Sequence, residues 1–274
     1  MFSFRKLLDE KKRPLIMGIL NITPDSFSDG GESFSLSGAL ERLHCLENEG
    51  ADIIDIGACS TAPMNEIVSC DEEIKRLSFL PDLVSAANVP LSIDTFRPEV
   101  AEYALKCGVK IVNDESGKFS KEMAEVVKKY NAGWIFMHTG GKSSKEIKDY
   151  PDGVINDVLS FFKECQTKAS ALGINEDSLF FDYGIGFGKS RDDDLTLLSE
   201  CEKITAYYPV LVGASRKRII GEITNEKVSK NRVAGSVAAA TLAAYKGAEI
   251  LRVHDVKETV DAMNIVKAFT KGHI

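Results

Sequence analysis

Eight short apolar runs, separated by stretches with helical spacing, constrain this chain more than any other feature. The runs predict strands at Leu15–Leu20, Ile53–Gly57, Leu91–Asp94, Lys110–Asn113, Trp134–His138, Leu179–Asp182, Val210–Gly213 and Glu249–Val253. Each is apolar on both faces, the pattern of a parallel strand with no solvated side. Helices are predicted at Leu36–Gly50, Asp71–Ala87, Pro98–Cys107, Lys121–Tyr130, Val154–Leu172, Leu195–Tyr207, Asn231–Lys246 and Val256–Phe269. This alternation predicts an α/β fold, a (β/α)8 TIM barrel, with residues 1–274 forming a single domain. A doubly wound open sheet is the alternative, because periodicity does not show closure. No linker, low-complexity tract or internal repeat divides the chain.

Composition narrows the function classes. The net charge is -7 and the pI about 5.3, which argues against a general nucleic-acid binder but leaves room for a local phosphate pocket. None of the six cysteines forms a Cys-x-x-Cys pair, so scattered reduced thiols are expected rather than a disulfide framework or a zinc site. Met1 to Pro14 is charged and lacks the apolar centre of a signal peptide. No apolar run approaches the roughly 20 residues of a membrane span. A cytoplasmic protein with no membrane or nucleic-acid partner is the expectation.

Chemistry-bearing residues gather just after the strands, where a barrel holds loops around one mouth. The first run breaks at Asn21 into a loop dense in side-chain oxygen, Thr23, Asp25, Ser26, Ser28 and Asp29, closed by Gly30-Gly31. Such a loop suits an anion or a metal-bound anion; an ordinary polar turn is the plainer reading. Asp94, Asn113 and Asp182 end three further strands. Carboxylates and an amide there can take the donor-rich edge of a flat heterocycle. Singly, each aspartate can equally be a helix N-cap.

Lys217, in Ser215-Arg216-Lys217-Arg218, directly follows a strand and can reach a ring carbonyl or an anion. For Arg218 a solvated basic turn is as good a reading. Arg252 and His254 alternate along the last strand exit and so point to one side. Together they suit phosphate, which barrels often bind around the last two strands. His44 and His273 read as structural, and His138 is open between the two. The run Gly184-x-Gly186-x-Gly188-Lys189 is neither a dinucleotide fingerprint nor a Walker loop. Its glycines allow close backbone approach to a flat ligand, and Phe187 can stack on it.

In this order the segments resemble the dihydropteroate synthases, a pterin-binding family, from about residue 14 to the C-terminus. Met17–Gly31 is similar to the family's first signature. Ile93-Asp94-Thr95, Val112-Asn113-Asp114, Met137-His138, Gly184–Lys189, Ser215-Arg216-Lys217 and Arg252–Thr259 follow in family order. The resemblance implies a transferase of folate biosynthesis, usually homodimeric. It would join 6-hydroxymethyl-7,8-dihydropterin pyrophosphate to p-aminobenzoate and release pyrophosphate. It implies pterin contacts from Asp94, Asn113, Asp182 and Lys217, and pyrophosphate contacts from Asn21, Arg252 and His254, with Mg2+ near Asn21. It implies p-aminobenzoate near Thr61, Pro63, Phe187, Lys217 and Ser215. Asp94, Asp182, Lys217 and Arg252 are the expected catalytic set.

The chain departs from the family pattern in places. Ser60-Thr61-Ala62-Pro63-Met64 stands where Ser-Thr-Arg-Pro-Gly is usual, Asp182-Tyr183 where Asp-Pro is usual, and Thr139-Gly140-Gly141 where Met-Gln-Gly is usual. Asp193-Asp194 replaces a His-Asn pair. Two other readings follow. A non-catalytic pterin-binding paralogue is motivated by Ala62 and Met64. A methyl-pterin methyltransferase domain with a corrinoid partner is opposed by the full pyrophosphate-side set.

Overall fold

The computed structural model describes residues 2–22, 35–58, 68–140 and 147–270. Eight parallel strands, each hydrogen-bonded to the next in sequence and the last to the first, close a barrel. They are β1 (Leu15–Asn21), β2 (Ile53–Gly57), β3 (Leu91–Asp94), β4 (Ile111–Asp114), β5 (Gly133–Met137), β6 (Leu179–Asp182), β7 (Val210–Val212) and β8 (Ile250–Val253). The open-sheet alternative is thereby removed, and the strand predictions stand to within one residue at each end.

Helix predictions needed more correction. The stretch predicted as one helix over 71–87 is two, Cys70–Arg76 and Leu80–Ala86. Pro81 sits in the first turn of the second, where its missing N–H costs nothing, but it cannot continue the first. The predicted helix over 195–207 is Arg191–Ser199 followed by the short Glu202–Thr205. Its true start is set by a capping box between Ser190 and Asp193. Asp193, one of the departures from the family pattern, thus has a local structural role. Phe4–Lys11 and Arg218–Thr224 are helices that the apolar spacing did not reveal.

Side-chain parity sorts each strand into two layers. Ile54, Ile56, Val112, Phe136, Phe181 and Leu251 face outward and pack with the helices. Leu15, Met17, Ile53, Ile111, Ile135, Phe180, Leu211 and Ile250 face inward and fill the lower barrel. Phe4, from the helix Phe4–Lys11, plugs that lower end, its ring centroid 4.6 Å from that of Phe180. The Phe2 N–H donates to Asn131 O (2.9 Å) and Ser178 Oγ donates to Phe2 O (2.8 Å), fixing the plug in place. The inward positions two residues further along the strands are different in kind. They are Asp55, Asn113, Asp182 and Arg252, joined from β3 by Asp94. The barrel therefore has an apolar base and a polar, charged mouth.

Candidate active site

Strand register brings the predicted residues to one level. Asn21 pairs with Gly57, Gly57 with Asp94, and Asp94 with Asn113 around the first four strands. Arg252 enters from β8 and reaches across to two carboxylates. Its Nε donates to Asp55 Oδ2 (2.7 Å) and its Nη2 to Asp94 Oδ2 (2.6 Å). Asn113 Nδ2 donates to the same Asp55 oxygen (3.0 Å). Asp55 and Asp94 raise the Arg252 pKa against the opposing effect of burial. Burial pushes the Asp94 carboxyl well above its ordinary value, helped by the negative charge of Glu115 and resisted by Arg252.

A second group lies across the mouth. Asp182 Oδ1 accepts from the Gly184 N–H (2.7 Å), and burial raises its pKa while the Lys217 charge resists. Lys217 Nζ donates to Ile185 O (2.5 Å) and sits 4.5 Å from the centroid of the Phe187 ring. Burial lowers its pKa, with Asp182 opposing. Between the two groups Gly213 leaves space: a side chain there would begin 3.8 Å from Asp182 Oδ2 and 3.9 Å from Arg252 Cβ. Ser215 Oγ lies 3.1 Å from His254 Nδ1 and accepts from the His254 N–H (3.2 Å). Burial, then the positive charges of Arg252 and Arg216, lower the His254 pKa to about 4, so the ring is neutral near pH 7.

The loop after β6 is held in place by a buried lysine. Lys189 Nζ donates to Gly184 O (2.9 Å), His138 O (3.1 Å) and Phe187 O (3.3 Å). Burial lowers its pKa to about 7, with Asp182 opposing. Gly184 has φ +64°, and a Cβ there would stand 2.0 Å from His138 O. Only glycine lets this loop lie against the β5 exit. Asp194, the other departure in that segment, accepts from the Gly186 N–H (2.8 Å). Tyr183, which replaces the usual proline, is fully buried in the outer core. His138 is neutral too, its pKa lowered to about 4 by burial and the Lys189 charge. Its Nε2 lies 2.8 Å from Asp157 Oδ1, on the outer side of the mouth.

The mouth thus gathers Asp94, Asn113, Asp182, Phe187, Lys217 and Arg252, with Ser215 and His254 at one edge and Asn21 exposed at the end of β1. Thr61 and Pro63, with Ala62 and Met64, lie outside the described residues. Sequence reasoning missed Asp55 and Lys189. Asp55 left a signal: a carboxylate inside Ile53-Ile54-Asp55-Ile56-Gly57, on the inward parity. Chemically, the mouth offers several acceptors to a donor-rich edge and two cations to a carbonyl or an anion.

Fold and site together define a (β/α)8 barrel with one polar mouth at the C-terminal ends of its strands. Residues 17–254 match the model of the family described as "Pterin binding enzyme". The dihydropteroate synthase of Clostridium beijerinckii is 40% identical over 251 residues, 90% of this chain and 91% of that one. The Xanthomonas albilineans dihydropteroate synthase with 4-aminobenzoic acid superimposes with a TM-score of 0.88 at 41% identity, over 94% of this chain and 93% of that chain. The same enzyme in complex with 7,8-dihydropteroate gives 0.84 at 39%, over 94% of both chains. The chain belongs to the dihydropteroate synthases of the pterin-binding enzyme family.

Proposed function

We propose that the chain condenses 6-hydroxymethyl-7,8-dihydropterin pyrophosphate with p-aminobenzoate, giving 7,8-dihydropteroate and pyrophosphate in folate biosynthesis. The observation that carries this reading is the convergence of Asp94, Asn113, Asp182, Lys217 and Arg252 on one cup beside an unfilled Gly213. Asp94, Asn113 and Asp182 accept from the amino and ring N–H groups of the pterin. Lys217 donates to its carbonyl. Phe187, under the Lys217 ammonium, offers a face to the p-aminobenzoate ring, with Ser215 nearby. Arg252 and His254 face the diphosphate.

The arylamine nitrogen forms a bond to the pterin methylene carbon, and the carbon–oxygen bond to pyrophosphate breaks. Cleavage runs ahead of attack because the pterin stabilises a cationic methylene. The amine then gives its proton to water or to the departing pyrophosphate, and no strong general base is required. What the protein supplies is alignment and charge: Arg252 against the departing oxyanion, Asp182 and Lys217 on the ring.

Asn21 is exposed at the end of β1, its side-chain oxygen 3.5 Å from where a Cβ on Gly57 would stand. Among the described residues no three His, Cys, Asp or Glu side chains gather into a metal cluster. One amide oxygen suits Mg2+, which keeps most of its water and takes substrate phosphate, and would not suit a structural metal. When bound there, the ion neutralises charge on the leaving pyrophosphate.

We take residues 1–274 as one domain that pairs as a homodimer in the cytoplasm. Exposed Leu242 and Tyr245 on the helix Val233–Tyr245 support pairing. The unpaired state of Cys45, Cys70, Cys107, Cys165 and Cys201 supports a reducing compartment. No described helix is long and apolar enough to cross a membrane.

The test is direct. Purified protein with both substrates and Mg2+ is expected to release dihydropteroate at a rate that depends on each. Tight pterin pyrophosphate binding with no product would instead identify a paralogue that binds without condensing.

A further inference from the structure

Asp55 is the most connected group in the mouth and has no place in the substrate contacts just described. It is fully buried, yet only one of its oxygens has partners. Oδ2 accepts from both Arg252 Nε and Asn113 Nδ2, at 2.7 and 3.0 Å. Oδ1 is equally buried and, among the described residues, has no partner. A carboxylate in such surroundings costs free energy unless it is compensated, and here half of it is not. Packing alone would be served as well by an apolar residue at this inward position, as it is at Ile53 on the same strand.

What Asp55 does is remove two ambiguities. An asparagine amide has a donor end and an acceptor end of nearly equal shape. With Nδ2 held on a carboxylate, Asn113 must turn its oxygen the other way and offers an acceptor. An arginine has a planar fork that rotates freely on its stem. With Nε held by Asp55 and Nη2 by Asp94, that plane is fixed. Among the described residues no hydrogen bond then occupies Nη1, which is left for an anion.

We propose that Asp55 is the positioning residue of this site, setting the amide orientation of Asn113 and the guanidinium plane of Arg252 from beneath the pterin pyrophosphate. This rests on the proposed condensation. Asp55 touches neither substrate, and its influence is confined to the pterin pyrophosphate side. The groups assigned to p-aminobenzoate, Phe187 and Ser215, have no hydrogen bond to it.

Asp55→Asn keeps the shape and removes the charge. Its amide oxygen can still accept from both Arg252 and Asn113, but it carries no charge to hold the guanidinium, and its NH2 is left in the buried Oδ1 position that has no partner among the described residues. The expected result is a KM for pterin pyrophosphate raised about 10- to 100-fold, the loss typical of a charge-assisted contact. The KM for p-aminobenzoate should move by less than about threefold, within the range of effects from non-contacting residues. Asn113→Ser, made in the wild-type and Asp55→Ala backgrounds, distinguishes positioning from direct contact. Its penalty should be large beside Asp55 and small beside the Asp55→Ala change, which leaves no acceptor to orient the amide.

An unchanged KM for pterin pyrophosphate, equal rises in both KM values, or fully multiplicative penalties would each overturn the proposal. Should Asp55→Asn not fold, Asp55→Ser, which leaves room for a water, is measured in the same way and judged by the same outcomes. Wild-type protein that forms no dihydropteroate would refute the condensation itself, and is seen before any variant is made.

Discussion

Asp52, just before β2, and Asp55, within it, are both shut away from solvent, and they are used in opposite ways. Asp52 lies at the base of the barrel with every bonding direction filled. Arg13 Nη1 and the Ile16 N–H donate to Oδ2 (2.6 and 2.9 Å). Arg13 Nη2 and Lys11 Nζ meet Oδ1 (3.2 and 2.9 Å). Asp55 has one oxygen shared between two donors and, among the described residues, one with none. A saturated carboxylate joins the chain's start to the sheet. An under-used one, beside a raised Asp94 and a neutral His254, marks where the fold holds charge for another purpose. The same residue type, three positions apart, separates stability from chemistry.

The largest test of that contrast is Arg252→Ala. It removes one of the mouth's two cations and is expected to lower kcat/KM by about 10²- to 10³-fold, as for other lost charge stabilisers. Steady-state kinetics read this, and a rate within a few-fold of wild type would contradict the assignment. Asp52→Ala is the counterpart at the base. It should cost about 3 kcal/mol of unfolding free energy, because Arg13 and the Ile16 N–H lose their acceptor together. Both KM values should stay as they were. Denaturant titration and kinetics on the folded fraction decide it, and a specific rise in either KM would merge the two regions.

Next comes the pH response of the buried histidines. His138 and His254 have pKa values near 4, below the unfolded value of about 6.5. Between those values the unfolded chain binds more protons, so stability falls as pH drops through that window. His254→Asn should flatten the fall by about 1–3 kcal/mol at pH 4, measured as the pH dependence of Cm. An unchanged slope would mean that the ring titrates normally in the folded state. The smallest effect is expected from Ser178→Ala, which loosens the plug at Phe2. A loss of about 1 kcal/mol with normal kinetics would confirm that the base is mechanically separate from the mouth.

Much of the architecture was legible because a parallel barrel repeats one unit. Runs such as Leu179–Asp182 and Val210–Val212 are too short and too apolar for anything but covered strands. Helix boundaries were less legible. Periodicity carries through Leu77–Phe79 although the chain turns there, and only Pro81 hints at the break. Arg218–Thr224 packs through few apolar positions and shows little pattern. Within the site, residues at strand ends stood out against apolar surroundings. Asp55 did not, because it lies inside a strand rather than after one. Lys189 was hidden for another reason: its partners are backbone carbonyls from two loops, which no side-chain motif records. The exposed Arg218 opens the helix Arg218–Thr224 and pairs with Glu222 one turn on (3.0 Å) rather than lying in a turn.

Alternation along β2 has a consequence for how this chain can change. Neighbouring parallel strands bond through their backbones and are indifferent to which side chain occupies a rung. Slide β2 by a single residue and those bonds could re-form, with Ile54 and Ile56 taking the interior and Asp55 thrust among the outer helices. The cylinder would survive such a slip in outline while its working end went dead. Single-residue insertions and deletions are therefore tolerable between strands and ruinous within them, because an odd count exchanges the two faces.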